Sequence, residues 1–91
     1  MFRIVAPEAF LRQARKFFRK HPDLKQRFGA LLDDLQRDPF QPHLGLHPLT
    51  GRLEGCHAVR LTHSYRVTLT LLVSEEEVTL LAIGSHDEVY R

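Results

Sequence analysis

The sequence is short of cysteine, tryptophan and long apolar runs. It contains one cysteine, Cys56, and no tryptophan. A single thiol excludes an internal disulfide and a zinc site built on several cysteines. No apolar run approaches the roughly 20 residues that a transmembrane helix requires. Residues 1–7 lack the apolar stretch and the small-residue cleavage site of a signal peptide. We therefore predict a cytoplasmic protein with no membrane partner.

A strong net charge is also missing. The chain has 13 Lys and Arg residues against 11 Asp and Glu residues, a formal net charge of +2. A protein that holds RNA by charge alone is usually more basic. The basic residues are unevenly placed, however, because seven of them lie between positions 12 and 27. With 91 residues, 43% of them hydrophobic, the chain fits one globular domain, which we predict to span residues 1–91.

The hydrophobic pattern of the first half predicts a short strand followed by two helices. Residues 2–5 favour a strand, and Pro7 suits the first turn of a helix. Apolar residues at positions 10, 14, 17 and 18, and again at 24, 28, 31, 32 and 35, follow helical spacing. Pro22 and Pro39 interrupt this spacing. We expect two helices that pack as an antiparallel hairpin.

The second half changes to the alternating pattern of strands. Residues 40–52 are rich in proline and glycine, and we predict an irregular segment there. Strands are predicted over residues 53–61, 65–73 and 78–83, the last one covered on both faces, with a hairpin turn at 74–77. The predicted fold class is α+β, with an N-terminal strand, a helix hairpin and a three-stranded antiparallel sheet packed on the helices.

Several polar residues interrupt these strands, precede them or follow them, where a core does not need them. Neighbouring strands of an antiparallel sheet lie side by side, and the end of the last strand closes on the same region. We therefore expect these side chains to share one surface. In chain order they are His47, His57, Arg60, Arg66, His86 and Tyr90.

This set of side chains fits RNA cleavage without a metal ion. A base must remove the proton of the 2′-hydroxyl, and an acid must protonate the leaving 5′-oxygen. Fixed cations stabilise the charge that builds up on the phosphate. Histidine takes either proton role near neutral pH, and arginine matches phosphate oxygens with its fork of donors. A tyrosine such as Tyr90 stacks on a base or donates a proton.

The same residue types also have ordinary structural interpretations. A lone strand arginine such as Arg66 is commonly a solvated surface residue. The basic side of the first helix is more often a solvent-exposed face than an RNA-binding one. We interpret His21 as part of the helix break, His43 as a loop residue and His63 as part of the hairpin turn between the first two strands of the sheet.

Two other chemical readings are weaker. His43 and His47 have a spacing that occurs in zinc sites, but no cysteine or carboxylate pattern accompanies them, so we predict no metal. Cys56 and His57 are disfavoured as a nucleophile and its base, because adjacent strand residues point to opposite faces.

Four segments of the chain together resemble one known family. They are LTGRLEG at residues 49–55, VRL at 59–61, YRV at 65–67 and IGSHDEVY at 83–90. These segments are similar to the RelE/ParE toxin superfamily, and within it to the RelE/YafQ-type mRNA interferases. The resemblance implies a RelE-like fold and the toxin of a type II toxin–antitoxin system. It further implies that such a toxin cuts mRNA on the ribosome without a cofactor and is blocked by a cognate antitoxin.

The resemblance also implies roles for single residues. Arg66 matches the arginine that contacts the scissile phosphate, and His86 matches a catalytic position after the last strand. Tyr90 matches a terminal aromatic that stacks on the base or assists proton transfer. His47 resembles a loop histidine of YafQ-type members, and His57 aligns with a position that is basic in RelE itself. The catalytic candidates are His86, Arg66, Tyr90, His47 and His57, and the RNA-binding candidates are Arg60 and Arg52.

Alternatives remain within the same fold. A ParE-like toxin acts on DNA gyrase and needs no acid–base pair, and a silent module would bind only its antitoxin. The base and the acid also stay unassigned among His47, His57 and His86.

Overall fold

The computed structural model describes residues 1–90, within which five strands and three α-helices form. The strands make one sheet in the order β1-β5-β4-β3-β2. β1 pairs with β5 in parallel, and the other pairs are antiparallel. The α+β class is therefore confirmed. The elements are β1 (Arg3–Val5), α1 (Glu8–Lys20), α2 (Lys25–Arg37), β2 (His47–Pro48), β3 (His57–Arg60), β4 (Tyr65–Leu72), β5 (Glu77–Ser85) and α3 (His86–Val89).

The two long helices bury the apolar stripes that the sequence pattern predicts. Phe10 and Phe17 of α1 and Leu35 of α2 are buried. A short 3₁₀ turn at Pro22–Leu24 joins the helices, and Phe18 packs against Phe28 with ring centroids 5.2 Å apart. The helix α1 contacts β5, and α2 contacts β1. Both helices therefore cover one face of the sheet, which we call the inner face.

A β-bulge on β5 decides which of its side chains enter the core. Thr68 pairs with Ala82, but the next residue of β4 pairs with Leu80, so Leu81 is the extra residue. The bulge allows Leu80 and Ile83, three positions apart, both to reach the inner face, where they are buried. Leu81 is 40% exposed. The expectation that this strand is covered on both faces is therefore wrong at Leu81.

The first predicted strand of the sheet, residues 53–61, is wrong over its first half. The strand covers only His57–Arg60, and a 3₁₀ turn occupies Gly51–Leu53. Gly51 and Gly55 have φ values of 68° and 95°, a left-handed backbone that an extended strand does not adopt. The glycines thus turn the chain where the apolar pattern alone suggested a continuous strand.

The segment predicted to be irregular contributes a fifth strand. His47–Pro48 pairs with β3, and β1 joins the same sheet, so the sheet has five strands where three were predicted. The predicted hairpin turn at 74–77 begins earlier, in a 3₁₀ turn at Val73–Glu75, and Val73 is exposed. In this part of the chain, side-chain pattern is a weak guide because backbone pairing sets the elements.

No helix within the described residues is long and apolar enough to cross a bilayer.

Candidate functional site

The face of the sheet opposite α1 and α2, called the outer face below, carries the two predicted strand arginines. Arg60 of β3 pairs directly with Arg66 of β4, and Arg66 pairs with Gly84 of β5. Val59 and Val67, their neighbours along the strands, lie in the core on the inner face. Because side chains alternate along a strand, Arg60 and Arg66 point to the outer face.

The pairing of these arginines is unfavourable for the fold. Like charges directly opposite each other on neighbouring strands repel. Within residues 1–90 neither guanidinium forms an ion pair with a carboxylate. Features that break a local stability rule without compensation concentrate at functional sites. We therefore take Arg60 and Arg66 as the centre of the candidate site.

A backbone carbonyl holds the guanidinium of Arg66, and the guanidinium of Arg60 lies beside a glycine. Arg66 Nη1 donates a long hydrogen bond, 3.4 Å, to the carbonyl of Thr62. The guanidinium of Arg60 lies over Gly45, where a Cβ would be 3.5 Å from its nearest nitrogen. The sequence reading missed Gly45, and the one signal for it was a glycine near a predicted strand. Gly45 has a φ of 63°, a left-handed backbone that favours glycine, whereas a Cβ here would make only an ordinary contact with Arg60.

His47 lies on the same face as the arginines. It pairs with Ala58 of β3, which pairs with Thr68 of β4. Ala58 and Thr68 lie two residues along their strands from Arg60 and Arg66, so both pairs belong to adjacent rows of side chains that run across the outer face. Its Nδ1 is 2.9 Å from the carbonyl oxygen of Gly45. A carbonyl only accepts, so Nδ1 carries the proton, and in the neutral ring Nε2 is then an acceptor. His47 is exposed, so its ring is accessible from solvent.

His57 lies on the other face of the sheet. It pairs with Leu69, which belongs to the core. It lies three residues before Arg60 on the same strand, and side chains an odd number of residues apart point to opposite faces. The expectation that His57 shares a surface with Arg60 and Arg66 is therefore wrong, because strand alternation separates them. Its half-buried ring leaves Nδ1 without a hydrogen-bond partner among residues 1–90.

The end of the chain folds back as one helical turn, α3. The Ser85 hydroxyl accepts from the Glu88 N–H at 3.3 Å, and the Glu88 carboxylate accepts from the Ser85 N–H at 2.8 Å. This reciprocal capping box fixes the start of α3. The hydrogen bonds from the backbone and the side chain of Ser85 hold the pKa of Glu88 below its ordinary value.

A glycine allows α3 to approach the arginines. Gly84 pairs with Arg66, and a Cβ on Gly84 would lie 3.1 Å from the Cβ of Glu88. That spacing is tighter than ordinary side-chain contact. The helix α3 contacts both β4 and β5. It therefore sits at the end of the row that carries Arg60 and Arg66.

His86 and Tyr90 form a pair on α3. They are four residues apart, on one side of the helical turn, and their rings meet edge to face with centroids 4.2 Å apart. The His86 side chain is 70% exposed, with Nδ1 3.6 Å from Asp87 Oδ1. The Tyr90 hydroxyl is buried and has no partner among residues 1–90. An unpaired buried hydroxyl is costly to the fold.

The remaining candidates lie apart from this surface. Arg52 is exposed in the 3₁₀ turn at Gly51–Leu53, outside the paired strands. His43 hydrogen-bonds to Asp34 at 3.0 Å, and His21 packs against Phe17 and Tyr65. Across the described part of the chain, no group of three or more His, Cys, Asp or Glu side chains is arranged to hold a metal ion.

No protein-family model matches the chain, and no curated protein sequence matches it. Solved structures match it over its whole length. YafQ from E. coli strain BL21(DE3) superposes with a TM-score of 0.81 at 14% identity, covering 100% of both chains. The E. coli DinJ–YafQ complex gives a TM-score of 0.79 at 15% identity, again covering 100% of both chains. A YoeB/ParE toxin from Agrobacterium tumefaciens gives 0.73 at 19% identity, covering 94% of this chain and 99% of that one. With this sheet order, helix pair and C-terminal turn, the chain shares the fold of YafQ and of the YoeB/ParE toxin.

Proposed function

We propose that residues 1–91 form a single toxin domain of a type II toxin–antitoxin system, acting in the cytoplasm as a ribosome-dependent mRNA endonuclease. The observation that carries this proposal is a pair of neighbouring arginines, Arg60 and Arg66, with no carboxylate partner within residues 1–90. The helical turn next to them carries the contacting rings of His86 and Tyr90. A gyrase-directed toxin needs no such combination of phosphate-binding and proton-transfer groups. The fold shared with YafQ and with a YoeB/ParE toxin supports the toxin assignment.

The proposed reaction uses only side chains of the outer face and α3. Arg60 and Arg66 bind the scissile phosphate and stabilise its added negative charge. His47 Nε2 accepts the proton of the 2′-hydroxyl, whose oxygen attacks phosphorus and forms a 2′,3′-cyclic phosphate. The bond to the 5′-oxygen breaks, and His86 protonates that leaving oxygen. Tyr90 supplies a hydrogen bond to the reacting group.

The spacing of the sheet suits this division of roles. The strand β2, with His47, lies three strand spacings from β5, which leads into His86, a separation of about 14 Å. Two imidazole side chains that reach inward from either end leave room for one phosphate over Arg60 and Arg66. His57 takes no part in the proposed mechanism because it lies on the inner face.

The first prediction tests cleavage directly. We expect induction of the wild type in cells to produce new mRNA 5′ ends inside translated codons. Arg66→Ala and His86→Ala should each reduce these cuts by about 100-fold or more, because each removes a charge or a proton donor from the transition state. Arg3→Gln is the matched control: Arg3 lies on the far edge strand and pairs with Glu77.

Other results would redirect the assignment. Growth arrest with intact mRNA and blocked DNA supercoiling would overturn the nuclease in favour of a gyrase-directed toxin. Full cleavage by both variants would overturn the assigned roles, and absence of any growth effect would favour a silent antitoxin-binding module. A zinc-selective chelator that leaves Mg²⁺ in place should not change the cuts, and zinc-dependent cleavage would contradict the mechanism.

We further propose that the antitoxin binds in a groove along the helices. A cavity of about 1010 Å³ lies against α1 and α2, with an apolar floor that includes Phe10, Phe18 and Phe28. An apolar floor with a basic rim fits the apolar face and flanking carboxylates of an acidic amphipathic segment. The DinJ–YafQ complex has this fold on its YafQ side, which supports a protein partner. The rim residues are Arg12, Arg15, Lys16, Arg19 and Lys25.

The second prediction concerns this groove. Replacing both Arg12 and Arg19 by Glu should weaken binding of the antitoxin encoded beside the toxin by about tenfold or more, mainly at low salt, because like charges then face each other. Titration calorimetry at low and moderate salt measures the change, with Arg3→Glu as the control for charge reversal elsewhere. Unchanged affinity in the double variant, or an equal loss in the control, would place the antitoxin on another surface.

A further inference from the structure

A second pocket adjoins the candidate site at the other end of the arginine row. It has a volume of about 460 Å³ and lies between α2 and the loops that flank β2 and β3. Arg27 and Asp34 of α2 line it, together with His43, Arg60 and His63. Arg60 therefore belongs both to this pocket, which we call the α2 pocket, and to the outer-face row. A ligand on the outer face can continue into the α2 pocket past Arg60.

The acidic residue of the α2 pocket is already neutralised. Asp34 bonds His43 Nε2 at 3.0 Å and Arg37 Nη2 at 2.6 Å. The hydrogen bond with His43, followed by that with Arg37, holds the pKa of Asp34 below its ordinary value. Its carboxylate is thus ionised, and it is ion-paired with Arg37, which does not line the pocket. It does not cancel the charges of Arg27 and Arg60.

One hydrogen bond holds the Arg27 guanidinium through its Nε, and its terminal N–H groups form no hydrogen bond within residues 1–90. Its Nε donates to the carbonyl of Leu61 at 3.0 Å, which anchors the guanidinium across 34 residues of sequence. Within residues 1–90, neither Arg27 nor Arg60 forms an ion pair with a carboxylate. The exposed imidazole of His63 lies in the same lining as Arg27. The pocket thus presents two cations, and the one carboxylate in its lining, Asp34, is ion-paired with Arg37.

We propose that the α2 pocket binds a backbone phosphate of the RNA strand that lies next to the scissile phosphate. This inference rests on the proposed RNA-cleaving function and extends its binding surface. Arginine forks match phosphate oxygens, and single-stranded nucleic acid follows grooves of positive charge. The lining has no Phe, Tyr or Trp on which a base would stack. The pocket therefore holds the strand without reading its sequence.

The test uses a non-cleavable, 2′-O-methyl RNA strand of about eight nucleotides, a length within the usual range for single-strand sites. Fluorescence anisotropy gives its Kd at several salt concentrations. Arg27→Gln should weaken binding up to about fivefold, the weight of one exposed charge contact. It should also reduce the slope of log K against log salt by about 0.7, the value for one phosphate contact on a single strand. Arg3→Gln should leave both quantities unchanged.

A shorter RNA and a conservative variant distinguish binding in the α2 pocket from binding at the cleavage site. A dinucleotide, which covers only the scissile phosphate, should bind wild type and Arg27→Gln equally. Arg27→Lys should restore the salt slope but only part of the affinity, since lysine keeps the charge and loses the fork. An Arg27→Gln effect of the same size on the dinucleotide, or no effect on the longer strand, would overturn the inference. Urea denaturation checks that Arg27→Gln is folded.

The two proposals fail in different ways. Cleavage in cells with an unchanged salt slope in Arg27→Gln would leave the nuclease standing and remove the phosphate pocket. Absence of cleavage together with the length-dependent loss of binding would remove the nuclease but support the pocket as an RNA-binding site.

Discussion

At the scale of single residues, several groups at the candidate site destabilise the fold. Arg60 and Arg66 repel each other across β3 and β4, and the Tyr90 hydroxyl is buried without a partner in the described chain. In the proposed reaction, a bound phosphate would relieve the repulsion, and a reacting oxygen would accept a hydrogen bond from the hydroxyl. The same ligand therefore compensates both costs, which is the physical reason to assign these residues to one site.

Tyr90 gives the sharpest residue-scale prediction. Tyr90→Phe should reduce single-turnover cleavage by about 100-fold, the usual size of the contribution from one hydrogen-bond donor that stabilises a transition state. Its melting temperature should be unchanged or raised, because the free protein loses only an unsatisfied hydroxyl. Tyr90→Leu, which also removes the ring that meets His86, is the comparison variant. If Tyr90→Phe cleaves at the wild-type rate and Tyr90→Leu does not, the ring acts by stacking alone.

At the scale of elements, α3 depends on its cap. A helix of four residues is too short to be stable on its own. Its start is held by the reciprocal bonds of Ser85 and Glu88, and Gly84 leaves room for it beside the arginines. The position of His86 and Tyr90 therefore depends on a glycine, a serine and a glutamate that carry no chemistry themselves.

This dependence predicts that acid loosens α3. The hydrogen bonds with Ser85 hold the pKa of Glu88 in the folded chain below its ordinary value. A depressed carboxyl pKa stabilises the fold above the unfolded pKa, and this contribution is lost as pH falls through the folded value. The Ser85 amide shift, followed by NMR below about pH 4.5, should report the loss. Glu88→Gln keeps the reciprocal bond but does not titrate. If Glu88→Gln shows the same acid transition, a titrating group other than Glu88 causes the loosening of α3.

At the scale of the whole molecule, the sheet separates stability from function. Its inner face holds the core against α1 and α2, and its outer face carries His47, Arg60 and Arg66. Chemistry-bearing residues of the outer face can therefore change without repacking the core. The bulge at Leu81 maintains this separation, because it lets Leu80 and Ile83 both face inward.

Adjacent leucines of β5 test this division. Leu80 is 1% exposed and Leu81 is 40% exposed. Leu80→Ala should lower the free energy of unfolding by about 2–5 kcal/mol, through lost burial and a cavity. Leu81→Ala should cost less than about 1 kcal/mol, as a partly exposed side chain does. Urea denaturation at equilibrium compares the two variants, and equal losses would show that the bulge does not orient them as described.

The amino-acid sequence by itself determined the α+β class, both long helices and the strand β4, because each of these carries a strong periodic pattern of apolar residues. It also pointed to Arg60, Arg66, His86 and Tyr90 as polar residues without a role in a core. Local pattern does not encode which strands pair. The turn made by Gly51 and Gly55, the strand at His47–Pro48 and the bulge at Leu81 all arise from backbone geometry and long-range hydrogen bonding.

Only the tertiary structure decided which candidates lie together. Pairing register placed His47 with the arginines and moved His57 to the inner face, since one position along a strand reverses the direction of a side chain. It also brought Arg27 of α2 to the carbonyl of Leu61, beside Arg60 and far from it in sequence. Residue types along the chain indicate which chemistry is available, whereas register and packing decide where it can act.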